Sequence, residues 1–330
     1  MTVLGRSTGL SHPGRKRRRN EDAWVCQPPL FAVADGMGGA RGGEIASRVA
    51  ATALGETVDG SGEERVVALI QKANRQVFER AREDADASGM GTTITVALVE
   101  DSVVAIGHVG DSRAYLIRDQ KVEQLTEDHS LVAELVRSGR LSPEEAEIHP
   151  QRSVITRALG TDPNVDVDSF SVEARPGDVF LICSDGLTSM IDDETILGIV
   201  EPRKEDLNAA AKELIGAANR SGGEDNITVV FFEMTDKAPE PPAETKAMPV
   251  VQAPPPPSAE ADEDTLSGLV RVPTVDTMVV PPEQSQAIAD KVEPEPPKER
   301  FSVRAARLVV ALAVVAALAL LVYWLLGQSR

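Results

Sequence analysis

The sequence predicts an α+β domain over residues 1–236, and three observations predict it. Short runs rich in Val, Ile and Thr, bounded by Gly, Asp or Asn, recur through that span and read as strands. These runs come in hairpins and the helical stretches in pairs, without strict strand–helix alternation; that pattern argues for antiparallel sheets with helices layered outside them. At Lys237 the composition breaks: fourteen of the chain's 22 prolines lie between Pro239 and Pro297, so the packed domain ends there.

The strand runs are Ala23–Cys26, Leu30–Ala34, Thr92–Val99, Val103–Val109, Ala114–Ile117, Val179–Cys183 and Ile227–Phe232. The third and fourth, separated by Glu100-Asp101-Ser102, read as a hairpin. Helical periodicity dominates Gly43–Leu54, Glu63–Ala87, Leu131–Ser138 and Leu207–Ala218. Ser142-Pro143-Glu144-Glu145 has the form of a helix start, with a Ser cap, Pro in the first turn and Glu at the capping-box position. Residues 237–300 carry PPPP at 254–257 and many acids. They cannot bury enough apolar surface to offset the entropy of ordering, so a disordered tether is expected. A patch rich in Val and Thr at 265–280 reads as a slightly apolar piece of that tether. The other readings of it are a docking motif, or a phospho-acceptor site at Thr265, Thr274 or Thr277.

Leu308 to Leu326 is uncharged and apolar over about the length that crosses a bilayer as a helix. Lys298, Arg300, Arg304 and Arg307 precede it and only Arg330 follows. This bias predicts a single span, within a juxtamembrane and transmembrane segment 301–330, with everything before it in the cytoplasm. The N-terminus shows no apolar stretch of signal-peptide length. Of 330 residues, 52 are acidic and 34 basic; the net charge of −18 argues against a nucleic-acid partner. Two distant cysteines, Cys26 and Cys183, suggest a reducing compartment and no disulfide framework.

Four acidic islands carry the chemistry: RRRNED at 17–22, VADGMGG at 33–39, SDGL at 184–187 and GGEDNIT at 222–228. Asp35 leaves the run LFAVA into glycines, where side chain and backbone carbonyl can both face a metal; Asp185 repeats the arrangement after VFLIC, and Asp225 precedes the strand ITVVFF. Each alone reads as a turn aspartate. Three at strand edges in one domain read as an oxygen cage for a hard divalent cation such as Mg²⁺ or Mn²⁺. Arg17, in a basic run beside Glu21 and Asp22, has the fork geometry for a phosphate. Two cations about 3.5–4 Å apart can activate a water and hold phosphate oxygens for in-line attack. Competing hydrolytic designs fail on the residues. The positions six beyond each cysteine are Ala32 and Ser189 rather than Arg, and His12, His108, His129 and His149 show no zinc spacing. There is no GxSxG or Walker A loop.

RRRNEDAW, FAVADGMGGARGGEIAS, GMGTTITV, HVGDSRAYLIR, HPQRSVITRALG, LICSDGL and GGEDNITVVFF, in that order from about residue 5 to 234, closely resemble the bacterial branch of the metal-dependent (type 2C-like, PPM) Ser/Thr protein phosphatases. The resemblance implies a four-layer α-β-β-α sandwich with a metal centre at one edge of the sheets. It implies that Asp35 bridges two core ions, that the Gly36 carbonyl binds one of them, and that Asp185 and Asp225 complete the shell of the second. Glu21 or Asp22 would act directly or through water, Arg17 would hold the phosphate, and Asp111 would bind a third ion. Residues 129–160 correspond to a flap beside the site; Arg152 and Arg157 in it are expected to be structural or substrate-facing. Met37 stands where animal relatives have a His, so no protein general acid is assigned.

The expected function is that of a membrane-tethered phosphatase of phosphoserine and phosphothreonine proteins, opposing membrane Ser/Thr kinases. The alternatives are a partner-switching phosphatase for an anti-sigma-type regulator and a non-catalytic phosphoprotein-binding module.

Overall fold

The computed structural model describes residues 2–38, 42–83, 89–236 and 278–279. The elements in chain order begin with β1 (Val3–His12), β2 (Asp22–Gln27), β3 (Leu30–Met37), α1 (Gly42–Ala53), α2 (Gly62–Glu83), β4 (Gly91–Thr92), β5 (Ile94–Glu100), β6 (Val103–Val109), β7 (Arg113–Arg118) and β8 (Lys121–Gln124). There follow α3 (Leu131–Arg137), α4 (Pro143–Glu147), β9 (Val154–Ile155), β10 (Asp168–Glu173), β11 (Val179–Cys183), α5 (Asp185–Thr188), α6 (Asp193–Val200), α7 (Leu207–Arg220), β12 (Ile227–Thr235) and β13 (Met278–Val279).

Two antiparallel sheets form the centre. One has the order β1-β12-β11-β7-β8, the other β10-β6-β5-β3-β2, with β4 attached to β3. Their strands are apolar on both faces because each sheet is covered twice. Along β3, Phe31 and Val33 pack between the sheets, whereas Ala32 and Ala34 meet α1 and α2. Along β12, Val230 and Phe232 face the other sheet, and Val229 and Phe231 face α7. At the centre Phe232 stacks on Phe31 and on Phe180, with ring centroids 4.4 and 4.8 Å apart. Alternate residues of one strand thus serve two different cores, giving helix, sheet, sheet, helix.

Every strand run read from the sequence lies in an observed strand, and the 94–100/103–109 hairpin is present. The run beginning at Thr92 divides at Thr93, which leaves the sheet to hold the Asp35 loop. Ser142 forms the full capping box with Glu145. Helix α2 ends its described part at Glu83, short of the expected Ala87, and residues 84–88 lie outside the described set. Besides the two-residue pair β9 and β13, the strands that pattern did not reveal are edges: β1, β8 and β10 are each paired on one side and half exposed, so they carry polar and glycine residues a central strand would reject. In β10, the alternation Ser169-Phe170-Ser171-Val172 was the available signal.

Of the patch at 265–280, residues 278–279 pair in parallel with β9; the rest of it lies outside the described residues, as do the expected tether and the expected span at 308–326. Among the described residues no helix is long and apolar enough to cross a membrane. Cys26 and Cys183 are free.

Candidate active site

The topology brings the acidic islands to one end of the two sheets. Asp22 opens β2 and Asp35 nears the end of β3, and the two are direct cross-strand partners. Asp111 lies in the turn from β6 to β7, Asp185 follows β11, and Asp225 precedes β12. Like charges directly opposite each other on neighbouring strands repel. A fold that places Asp22 against Asp35 calls for a compensating positive charge.

The backbone around these carboxylates is tightly fixed. Asp35 N–H donates to Thr93 Oγ1 (3.1 Å), and the Asp35 carbonyl accepts from Thr93 N–H (2.9 Å) and the Thr92 hydroxyl (2.8 Å). The Asp35 carbonyl is therefore occupied, contrary to the sequence-based expectation that it faces a metal; only the side chain is aimed into the site. Glu21 N–H donates to Asn226 Oδ1 (2.7 Å), and the Glu21 carbonyl accepts from Gly36 N–H (3.2 Å) and Ser47 Oγ (2.5 Å). Gly36 and Gly43 touch here. A Cβ on Gly36 would lie 2.0 Å from the Gly43 carbonyl, and one on Gly43 would lie 2.7 Å from Glu21 Oε2, so neither position admits a side chain.

Asp22 Oδ2 accepts from Ser184 Oγ (2.9 Å) and Thr228 Oγ1 (2.5 Å). Its Oδ1, like Asp185 Oδ1, is buried without a hydrogen-bond partner. Asp35 lies against Asp185. Burial, then the neighbouring carboxylates, push Asp22 up to about 7 and Asp185 up to about 6. The same causes raise Asp35 and Asp111 well above the usual carboxylate range, and burial raises Glu21 despite the nearby Arg17. Crowded carboxylates with two orphaned buried oxygens are a donor set suited to hard divalent cations.

Asp225 sits differently. Its Oδ2 accepts from Arg17 at 2.8 Å and its Oδ1 from Asn226 N–H at 2.8 Å. Burial opposes the Arg17 charge, and Asp225, Glu21 and Asp35 more than offset it. Among the described residues, no three His, Cys, Asp or Glu side chains are arrayed so as to hold one ion by themselves. The guanidinium of Arg17 supplies the positive charge at Asp225. Asn226 joins the islands: its side chain also donates to the carbonyls of Pro13 (3.1 Å) and Arg19 (2.8 Å), fixing the loop that carries Arg17. Sequence reading did not single out Asn226 or Thr93. Asn226 stood beside the acid in GGEDNIT, and Thr93 looked like any strand threonine.

Met37, 5% exposed, packs with Ile155 and Ala158 of the flap, so this side chain ties the flap to β3. Arg157 pairs with Asp168 and Arg152 lies near Glu224. Burial holds the Cys183 thiol at about 12, inert as a nucleophile.

The model of the protein phosphatase 2C family matches residues 8–218. The chain belongs to that family. A serine/threonine phosphatase of Listeria welshimeri is 42% identical over 233 residues, spanning 67% of this chain and 92% of the relative. The crystal structure of the Mycobacterium tuberculosis serine/threonine phosphatase PstP is 39% identical, with a TM-score of 0.66, covering 70% of this chain and 99% of that one. A structure of the PstP catalytic domain in complex with two manganese ions is 37% identical with the same TM-score, covering 72% and 100%. As a protein phosphatase 2C, this chain is a hydrolase with the family's two-sheet, helix-flanked fold.

Proposed function

We propose that the protein hydrolyses phosphoserine and phosphothreonine in other proteins, with two Mg²⁺ or Mn²⁺ ions held by the acidic cluster. The observation that carries this reading is the meeting of Asp22, Asp35, Asp111 and Asp185 at one sheet end, with two carboxylate oxygens buried and unpartnered beside Arg17. Asp35 and the Gly36 carbonyl are the residues for the first ion, and Asp35, Asp185 and Asp225 for the second. Glu21 and Asp22 support them, and Asp111 is the ligand proposed for a third. Ions bound there supply Lewis acidity and water activation at neutral pH. Arg17, paired with Asp225 at 2.8 Å beside that cluster, has the planar fork that would hold a phosphate there. With Met37 buried under the flap, no side chain takes the general-acid position.

The full-length protein with Mn²⁺ is expected to release phosphate from a phosphothreonine peptide and to lose that activity in EDTA. Phosphopeptide binding by calorimetry without turnover would replace this reading with the non-catalytic one. A single preferred phosphoprotein in a substrate screen would replace it with the partner-switching one.

We further propose that 308–326 anchors the chain in a bacterial inner membrane, with the catalytic domain in the cytoplasm facing membrane-held Ser/Thr kinases. The hydropathy and the basic flank support this. About seventy tether residues reach on the order of 45–50 Å, which confines the domain near the membrane and raises its effective concentration there. Deleting 301–330 is expected to leave peptide hydrolysis unchanged and to slow dephosphorylation of a membrane kinase in cells. Equal rates would refute tethering.

A further inference from the structure

We propose that His129 is a positioning residue: its neutral imidazole fixes Gly110, and through it the aim of Asp111, while joining that turn to the base of the flap. The proposal rests on the reading of Asp111 as part of the cation site. It concerns a histidine that neither spacing nor a catalytic role had singled out.

Gly110 and His129 clasp each other in both directions. His129 N–H donates to the Gly110 carbonyl (2.7 Å), and Gly110 N–H donates to His129 Nδ1 (3.0 Å). Gly110 has φ +115°, and a Cβ there would lie 2.5 Å from Thr93 Cβ, so this turn has one geometry and only glycine fits it. Because Nδ1 accepts from an amide, the ring hydrogen resides on Nε2, which donates to Asp168 Oδ2 at 3.0 Å. Asp168 is held in turn by Arg157 Nη1 at 2.5 Å. The His129 carbonyl accepts from Thr156 N–H (2.9 Å), and Ser130 bridges to Ile155, so the two ends of the flap close on this residue.

The site side of the contact is equally firm. His108 packs on His129 with centroids 4.8 Å apart. Its Nδ1 meets Thr95 Oγ1 (2.9 Å) and its Nε2 the Glu127 carbonyl (3.0 Å). Thr95 Oγ1 also lies 2.9 Å from the Ser112 carbonyl, so its one hydroxyl hydrogen is shared between that oxygen and His108 Nδ1. Ser112 Oγ meets Thr93 Oγ1 at 2.6 Å, and Thr93 holds Asp35. Arg113 grips Asp128 through two bonds of 2.8 and 2.7 Å. Asp111 is therefore bracketed by Gly110 and Ser112, each fixed by a buried polar chain that starts at a histidine. Burial keeps His108 near 3 and lowers His129, so both rings stay neutral and His129 keeps its acceptor lone pair.

Two substitutions separate the arms of the imidazole. In His129→Asn, Oδ1 falls near the place of Nδ1 and can still accept from Gly110, but the reach to Asp168 is lost. In His129→Gln the longer amide can reach Asp168, but Gly110 N–H is left buried without an acceptor. We expect Mn²⁺ affinity, measured by calorimetry on the full-length protein, to stay within about threefold of wild type for Asn and to fall about tenfold for Gln. Amide exchange at Gly110 is expected to remain slow in Asn and to become fast in Gln. Asn losing as much affinity as Gln, or Gln binding Mn²⁺ like wild type, would overturn the assignment. Both readouts are independent of turnover, so wild-type protein that binds Mn²⁺ yet leaves phosphopeptides intact would sink the proposed reaction and leave this inference standing. Gly110 exchange equally slow in all three proteins would sink the inference alone.

Discussion

Asp35→Asn is expected to lower phosphothreonine-peptide hydrolysis by at least about 10³-fold in saturating Mn²⁺. It should do so without unfolding the protein. Asp35 faces Asp22 across β2 and β3 and lies against Asp185, with Asp225 and Asp111 also acting on it electrostatically, so its carboxylate is the one shared by the whole cluster. Its backbone anchors, to Thr92 and Thr93, survive the substitution. Removing one of several crowded like charges should therefore leave the unfolding midpoint in EDTA unchanged or higher, while abolishing the rise in midpoint that Mn²⁺ produces in wild type. Turnover measured beside melting curves with and without Mn²⁺ tests both halves. A variant that keeps full Mn²⁺-dependent turnover would show that Asp35 is a turn residue and no more.

The second large effect is a pH dependence whose sign depends on the cation. In metal-free protein Asp22 titrates at about 7 and Asp185 at about 6, against about 4 for an ordinary aspartate. Between these limits the folded state holds protons that the unfolded chain has released, so stability falls as pH rises. The contribution is fully present below about pH 4 and is gone above about pH 7. For Asp22 alone it is on the order of a few kcal/mol. Asp168 and Glu233 are displaced downward: burial opposes this, but His129 and Arg157 outweigh it at Asp168, as Arg6 does at Glu233. Their contributions are lost only as pH falls below the usual carboxylate range, outside this window. Burial lowers His108 to about 3 and lowers His129, which opposes the trend below about pH 6.5, but Asp35 and Asp111, raised by burial and crowding like Asp22 and Asp185, keep the net change a fall. Melting in EDTA is thus expected at a higher temperature at pH 5 than at pH 8. Saturating Mn²⁺ should reverse the order, because protons compete with the cation for the same oxygens. EDTA curves that instead rise toward pH 8 would contradict the carboxylate crowding.

Much of this was legible in the chain itself. Central strands announced themselves by continuous Val, Ile and Phe runs, because both faces of each sheet are covered. The capping box at Ser142 is a local device, readable over four residues. The edge strands β1 and β8 were illegible for the converse reason: paired on one side only, they tolerate Gly, Ser and Lys and lose the apolar signature. In the site, the aspartates stood out because each sits between an apolar run and a turn. The groups that hold them did not, since Thr93, Asn226 and His129 act across separations that no local pattern records.

The sequence by itself determined the set of oxygen donors, their order along the chain, and their places at strand ends. Those follow from short-range periodicity and turn chemistry. The tertiary structure alone decided that Asp22 opposes Asp35, that the Asp35 carbonyl is occupied, that Asp225 meets Arg17, and that His129, packed on His108, bonds to Gly110 beside Asp111. These are contacts between segments up to about two hundred residues apart. They exist because two sheets pack face to face over one aromatic core, and only that packing specifies which strand ends meet.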